Sequence, residues 1–373
     1  MLLAYSVYIF LLVLLFTAAA HNNKLLLRSN DNLETNEKSF VFWRWPIIVG
    51  FLLLVLIVGL RYDVGVDYMG YRNDYLGDIE YAAKLRWIKI ERYEFGYRTL
   101  MRTLIHYNIS AWVLFTIIAI FIWYFFIQSF KVFPLLLKWG LFFAFTTGFF
   151  FASMNGMRQT IALVIFMYAI KFIEEKSLIK FTVYILFASS FHTSILLIYP
   201  FYFFVNKISF TNPRWLIVYT LSYILGNKID IRDLIVFGLE LFPKYQHYTE
   251  WFLDDFSNPT SGGLGNFYTF TVGFLIILFS NDIIKKIPRM KIYYNLFFIG
   301  AFVFNFFWKY SILGRVTYLF FWFEIFCLAA LAYYFGKSKN FWIIYVIIIT
   351  QIIMFLYKIF KGENQCSPFQ FIF

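Results

Sequence analysis

Long apolar runs separated by short polar breaks dominate the chain, and the length of the runs decides the class of structure. A helix crossing the hydrocarbon core of a bilayer needs about 20 mostly apolar residues. Runs of this kind lie near residues 1–20, 46–60, 111–130, 135–153, 156–172, 264–280, 291–309, 314–335 and 340–357. Two stretches fit less simply: 178–206 is long for one straight span and short for two, and 213–226 is short for a crossing. Either 178–206 is a hairpin of two short helices and 213–226 crosses, or 178–206 crosses once and 213–226 is interfacial. Both choices leave every later segment on the same side. The pattern predicts an all-α fold, a polytopic membrane helix bundle of about 10–12 spans. The membrane domain takes in the whole chain, 1–373, with two longer polar segments at 61–110 and 227–263.

Composition supports this reading. Hydrophobic residues make up 61% and charged residues 14% of the chain, with a mean hydropathy of +0.68. A soluble domain carries about 25% charged residues, so this chain lacks the polar groups to cover a water-facing surface. The net charge of +12 does not point to nucleic acid; in a chain this apolar it fits cytoplasmic loops, where Lys and Arg collect.

The charges also choose an orientation. With the N-terminus outside, the inward loops hold Lys24, Arg28, Lys38 and Arg44, then Lys131 and Lys138, then Lys171, Lys176 and Lys180. Lys285, Lys286, Arg289 and Lys291, and last Lys337 and Lys339 follow on the same side, as do Lys207 and Arg214 if 178–206 is the hairpin. The short outward turns hold only Arg158, Lys309 and Arg315. Both termini, and the 61–110 and 227–263 segments, are then predicted to face outward. Residues 1–20 end in Ala18-Ala19-Ala20 like a signal peptide but lack its positively charged start. Cleavage there would invert every later loop against the charge bias, so the run reads as a span.

Candidate chemistry concentrates at the predicted outer face. The 61–110 segment interleaves cations with acids, and surface pairing accounts for most of them. Arg61 differs, since it stands where the second span leaves the bilayer, with Gly65 and Gly70 permitting a tight path nearby. Arg158, in Asn155-Gly156-Met157-Arg158-Gln159, interrupts apolar sequence with almost no loop to solvate it. An arginine at membrane depth is expensive and is usually functional or paired within the bundle; the plainer account is snorkelling toward lipid phosphate. Arg315 opens a later span at the same level. His192 lies in Ser190-Phe191-His192-Thr193-Ser194, an ionisable group in an apolar stretch flanked by hydroxyls. Neither a phosphate loop nor zinc-type Cys/His spacing occurs, and Cys327 and Cys366 make no disulfide frame. No metal or cofactor is expected.

Taken in order, Arg61-Tyr62-Asp63-Val64-Gly65-Val66-Asp67-Tyr68, Glu94-Phe95-Gly96-Tyr97, Asn155-Gly156-Met157-Arg158-Gln159 with Ile161-Ala162, and Ser190-Phe191-His192-Thr193-Ser194 resemble the EpsG family. Gly314-Arg315 matches a weaker late arginine of that family. The motifs run from about 61 to 320, and their order and spacing carry the likeness. One departure is Phe95, where the family commonly has proline after the glutamate. The resemblance implies a membrane polymerase of exopolysaccharide, capsule or O-antigen, similar in role to Wzy polymerases, with a helical GT-C-like fold. Such an enzyme moves a growing glycan from undecaprenyl diphosphate to a second lipid-linked repeat unit at the outer leaflet, using neither metal nor nucleotide sugar. Its partners would be the undecaprenyl-diphosphate-linked oligosaccharide and membrane lipid, with a chain-length regulator as a further candidate. Nucleic acid would have no part.

Roles follow from the residue types. Arginine offers phosphate a planar, permanently charged fork, so Arg158 and Arg315, with Arg61 as a third, are candidates to clamp the diphosphate. Asn155 and Gln159, from the same motif, are further candidate substrate ligands. The acceptor hydroxyl needs a general base, for which His192, Asp67 and Glu94 all qualify. A flippase for the same lipid-linked glycan is the competing reading; it would favour cations deep in several spans, whereas here they cluster at one face.

Overall fold

The computed structural model describes residues 1–27, 42–82, 90–230, 236–237, 240–241, 263–310, 317–336 and 341–373. These residues are mostly helical with no β-strand among them; one isolated antiparallel bridge joins Arg61 and Phe371. Six helices among them are long and apolar enough to cross a membrane: Leu2–Lys24, Ala111–Val132, Leu264–Lys286, Met290–Phe307, Thr317–Gly336 and Trp342–Lys361. Shorter apolar helices occupy Trp45–Gly59, Pro134–Thr146, Leu178–Ser189 and Thr193–Phe203. The chain is therefore a polytopic helical bundle.

The backbone divides into two compact units, Met1–Tyr202 with Leu328–Phe373, and Phe203–Cys327. In the first unit, α1 (Leu2–Leu27) packs on α2 (Trp45–Gly59), α2 on α5 (Ala111–Ser129), and α5 on α8 (Met157–Ala169). Between them lie α3 (Tyr68–Ala82) and α4 (Phe95–His106) of the polar 61–110 segment, and the pair α6 (Leu137–Thr146) and α7 (Phe149–Ser153). The run 135–153, which reads as one span, is broken at Gly148, whose φ of 101° no helix accommodates. The interior is aromatic. Trp123 is fully buried against Phe126, Phe149 and Phe150, and Phe145 stacks on Phe150 at 4.3 Å. In lipid there is little hydrophobic drive between helices, so ring packing, at about 0.5–1.5 kcal/mol per pair, supplies much of the cohesion.

The stretch 178–206 contains a hairpin, the shape that the first of its two alternatives gives it. The helix α10 (Leu178–Ser189) ends at Ser190 and a 3-10 helix, Thr193–Phe203, leads back. Thr182 and Tyr199 share a hydrogen bond of 2.9 Å across a sequence separation of 17, where a straight helix would hold them about 25 Å apart. Phe181 meets the rings of Tyr199 and Tyr202 as well. Residues 178–203 are thus a hairpin with Ser190-Phe191-His192 at its apex. Because α10 runs antiparallel to α8 and packs on it, the apex returns to the end of the unit where α8 begins.

The C-terminal segment is tied to that end too. After α15 (Trp342–Lys361), it runs along residues 60–66: Tyr62 N–H donates to the Gln370 carbonyl at 2.9 Å, Gly65 N–H to Gln365 at 2.9 Å, and Ile372 N–H to Leu60 at 3.0 Å. Gly65, with φ of 107°, makes the turn this pairing needs; Gly70 instead lies inside α3.

In the second unit, α11 (Arg214–Lys228), α12 (Leu264–Lys286) and α13 (Met290–Phe307) pack on one another. Two buried asparagines cross-link it: Asn295 donates to the carbonyls of Val205 and Ile208, and Asn305 to Ser222 Oγ at 2.8 Å. The division between units falls within α14 (Glu324–Gly336). Of the 227–263 segment, most lies outside the described residues.

Candidate active site

Glu94 is the N-cap of α4, with extended backbone (φ −62°, ψ 154°), and its side chain makes no capping bond. Both carboxylate oxygens are therefore spent elsewhere. Oε2 pairs with the Arg158 guanidinium at Nη1, although the two residues are 64 positions apart. Oε1 meets His192 Nδ1 at 3.1 Å and accepts the Thr193 N–H at 3.4 Å, 98 and 99 positions away. Three separate motifs thus converge on one carboxylate. Gly96 permits it: its N–H donates to the Ser190 carbonyl at 2.7 Å, and a Cβ there would lie 2.4 Å from Ser190 Oγ. The hairpin apex can approach the Glu94 turn only over a residue without a side chain.

Arg158 sits in the first turn of α8, after the Asn155-Gly156 turn. Its Nε donates to the Tyr71 hydroxyl at 3.4 Å, and its guanidinium lies over the Tyr93 ring at 4.7 Å and near Tyr97 at 6.0 Å. The Tyr93 hydroxyl in turn donates to Asp74, and Arg92 closes on the same carboxylate. A partly desolvated cation is costly unless paired and hydrogen-bonded. Here a carboxylate, a phenol and an aromatic face share the task. The signal for this tyrosine cage was in the sequence, as Tyr71/Asp74 and Tyr93/Tyr97 at helical spacing, but it does not stand out in a chain with 28 Tyr.

Electrostatics divide the roles. Burial by itself raises the Glu94 pKa, but the His192 hydrogen bond and the Arg158 charge outweigh it and hold the carboxyl down at about 2. Glu94 is thus held ionised throughout the physiological range. Being acceptor-only, it requires His192 Nδ1 to carry a proton, so that in the neutral tautomer that makes this bond the lone pair lies on Nε2. Burial, largest among the causes, pushes the hydroxyls of Tyr71, Tyr93 and Tyr97 upward, so the cage remains neutral.

The other candidates are placed differently. Arg61 is 1% exposed, and its guanidinium donates to the carbonyls of Val58, Val64 and Met154. Its donors go to backbone, because a chain leaving a helix at 58–64 has carbonyls to satisfy. Asp67 is half-buried and its carboxylate forms no hydrogen bond with Arg158 or His192; its backbone carbonyl accepts from Tyr71 N–H at 3.1 Å. Asn155 is buried and bonds the Phe151 carbonyl at 2.9 Å. Gln159 is half-buried beside Arg158. Arg315 lies outside the described residues. Among the described residues no group of His, Cys, Asp and Glu has metal-binding geometry, and both cysteines are buried and free.

Fold and site together define a polytopic helical membrane protein that holds an arginine–carboxylate–histidine cluster at one end of its first unit. The family model described as the EpsG family matches residues 44–371. The chain belongs to the EpsG family, and so to a group of polysaccharide-related membrane proteins. No curated protein and no solved structure gives a match.

Proposed function

We propose that the protein is a polymerase of surface polysaccharide, transferring a glycan from undecaprenyl diphosphate to a second lipid-linked repeat unit at the outer leaflet of the cytoplasmic membrane. The observation that carries this reading is the convergence of Arg158, Glu94 and His192. Cleavage of the bond between the anomeric carbon and the diphosphate oxygen leaves negative charge on the leaving group, and a preorganised guanidinium stabilises that charge. Arg158 Nη2 has no hydrogen-bond partner among the described residues, so one edge of the fork is open to an anion while Nη1 remains on Glu94. As the acceptor oxygen bonds to the anomeric carbon, its proton passes to His192 Nε2. Glu94 then faces the imidazolium through Nδ1 and stabilises it, in the manner of a base held by a third group. Arg61 supports the backbone beneath; Asp67, Asn155 and Gln159 are assigned to acceptor or framework contacts, and Arg315 to a second diphosphate contact. No nucleotide sugar or metal enters the scheme. The charge bias of the loops supports an outward-facing site, and the helical bundle accords with a GT-C-like enzyme.

The test is polymerisation by purified protein from lipid-linked repeat units alone, without metal or nucleotide sugar. In cells, Arg158→Lys keeps the charge but loses the fork. The expected result is loss of long-chain polymer while single repeat units still reach the surface. Normal chain lengths in a well-expressed Arg158→Lys strain would refute the role of Arg158.

A further inference from the structure

The cluster has an outer layer that the proposed chemistry does not use. Tyr93 is buried, with its ring against the Arg158 guanidinium at 4.7 Å and its hydroxyl on Asp74 Oδ2. Asp74 is itself buried, at 8% exposed, and Arg92 covers it from the side that faces solvent. Tyr97 packs edge-on against Tyr93 at 5.2 Å and Tyr71 lies 5.9 Å from it. The ring cannot swing away without breaking the hydroxyl–carboxylate bond. Three residues from α3 and the turn before α4 thereby form one support behind a single cation.

We infer that Asp74 is a positioning residue for Arg158, acting through the Tyr93 hydroxyl. A phenol that donates to a carboxylate gains electron density in its ring, and a richer ring face holds a cation more strongly. The same bond fixes the ring plane, which sets the direction in which the Arg158 fork points. Asp74 touches neither Glu94 nor His192 in any hydrogen bond, so its influence on them passes through Tyr93 and Arg158. Relative to Arg158, Asp74 occupies the place that a supporting group takes behind a metal ligand or a catalytic histidine: it orients the group that meets the substrate.

The consequences for catalysis rest on the proposed polymerase reading, so the experiment has one arm that does not. In membranes bearing the full-length protein, phenylglyoxal modification of Arg158 is followed by peptide mass spectrometry. Asp74→Asn and Tyr93→Phe are each expected to raise its rate about fivefold, the size of one charge-assisted contact. The double variant should modify no faster than either single one, because both remove the same charge-assisted bond. Glu91→Ala, which breaks the Arg98 pair of the same segment, should leave the rate at the wild-type value. Unchanged thermal unfolding of each variant keeps the comparison fair, and Asp74→Ser replaces Asp74→Asn if the latter unfolds early. An Arg158 rate that ignores Asp74→Asn, or additive effects of the two substitutions, overturns the inference. In the second arm, polymerisation at saturating donor should fall about fivefold in Asp74→Asn with little change in KM. Wild-type protein that fails to polymerise while Arg158 modification still responds would reject the polymerase reading and leave the positioning role standing.

Discussion

Replacing Glu94 by Gln keeps the shape of the side chain and removes its charge. Glu94 moves from an ordinary value of 4.5 to about 2 in the folded protein; at about 1.4 kcal/mol per decade this corresponds to roughly 3 kcal/mol of stability. A second route gives a similar size. Breaking a fully buried ion pair from one side costs about 3–5 kcal/mol, and Glu94 and Arg158, with side chains 15% and 23% exposed, belong at the lower end. The sign follows from a folded pKa that is depressed: the contribution is complete above the unfolded value and is lost as pH falls through the folded one. Wild type should therefore exceed Glu94→Gln by about 3 kcal/mol at pH 7, a Tm gap on the order of 5 °C. The gap should begin to close below pH 4.5, and less than half should remain at pH 3. The assay is thermal unfolding of purified protein in one detergent across pH 3 to 7. Equal stabilities at pH 7, or a gap that stays constant down to pH 3, would show that the carboxylate is not held by the Arg158 and His192 pairings.

Further outcomes can be checked separately. Gly96→Ala places a Cβ 2.4 Å from Ser190 Oγ; it should lower stability by about 1–3 kcal/mol and reduce polymer output, read from unfolding and from chain-length profiles. Deleting residues 364–373 removes the hydrogen bonds to Leu60, Tyr62, Gly65 and Val66, and is expected to lower Tm and expose segment 60–66 to protease; unchanged proteolysis would mean the tail is dispensable. A cysteine at the exposed position 73 should react with an impermeant thiol reagent from outside the cell, and labelling only after lysis would invert the orientation.

Much of the membrane architecture was legible along the chain, because the requirement for some 20 apolar residues is a local one. The breaks were less so. Gly148 splits one predicted span, and the ambiguity at 178–206 could not be removed by counting, since a hairpin and a single crossing bury similar residues. The contact between Thr182 and Tyr199 decides it. Arg158 was recognisable as a costly charge, and His192 as an ionisable group, in apolar surroundings. Arg61 was equally conspicuous, and its acceptors are backbone carbonyls, because sequence shows that a cation is buried but not which acceptors surround it.

The chain by itself determined that this protein lives in the membrane and showed Arg61 and Arg158 as charges set in family motifs at the ends of apolar runs. Only the tertiary structure brought Glu94, Arg158 and His192 together on one carboxylate, and placed Tyr93 and Asp74 behind the arginine. Hydrophobic length is set residue by residue, whereas a pKa or a guanidinium's direction depends on groups brought within a few ångströms from 64 and 98 positions away.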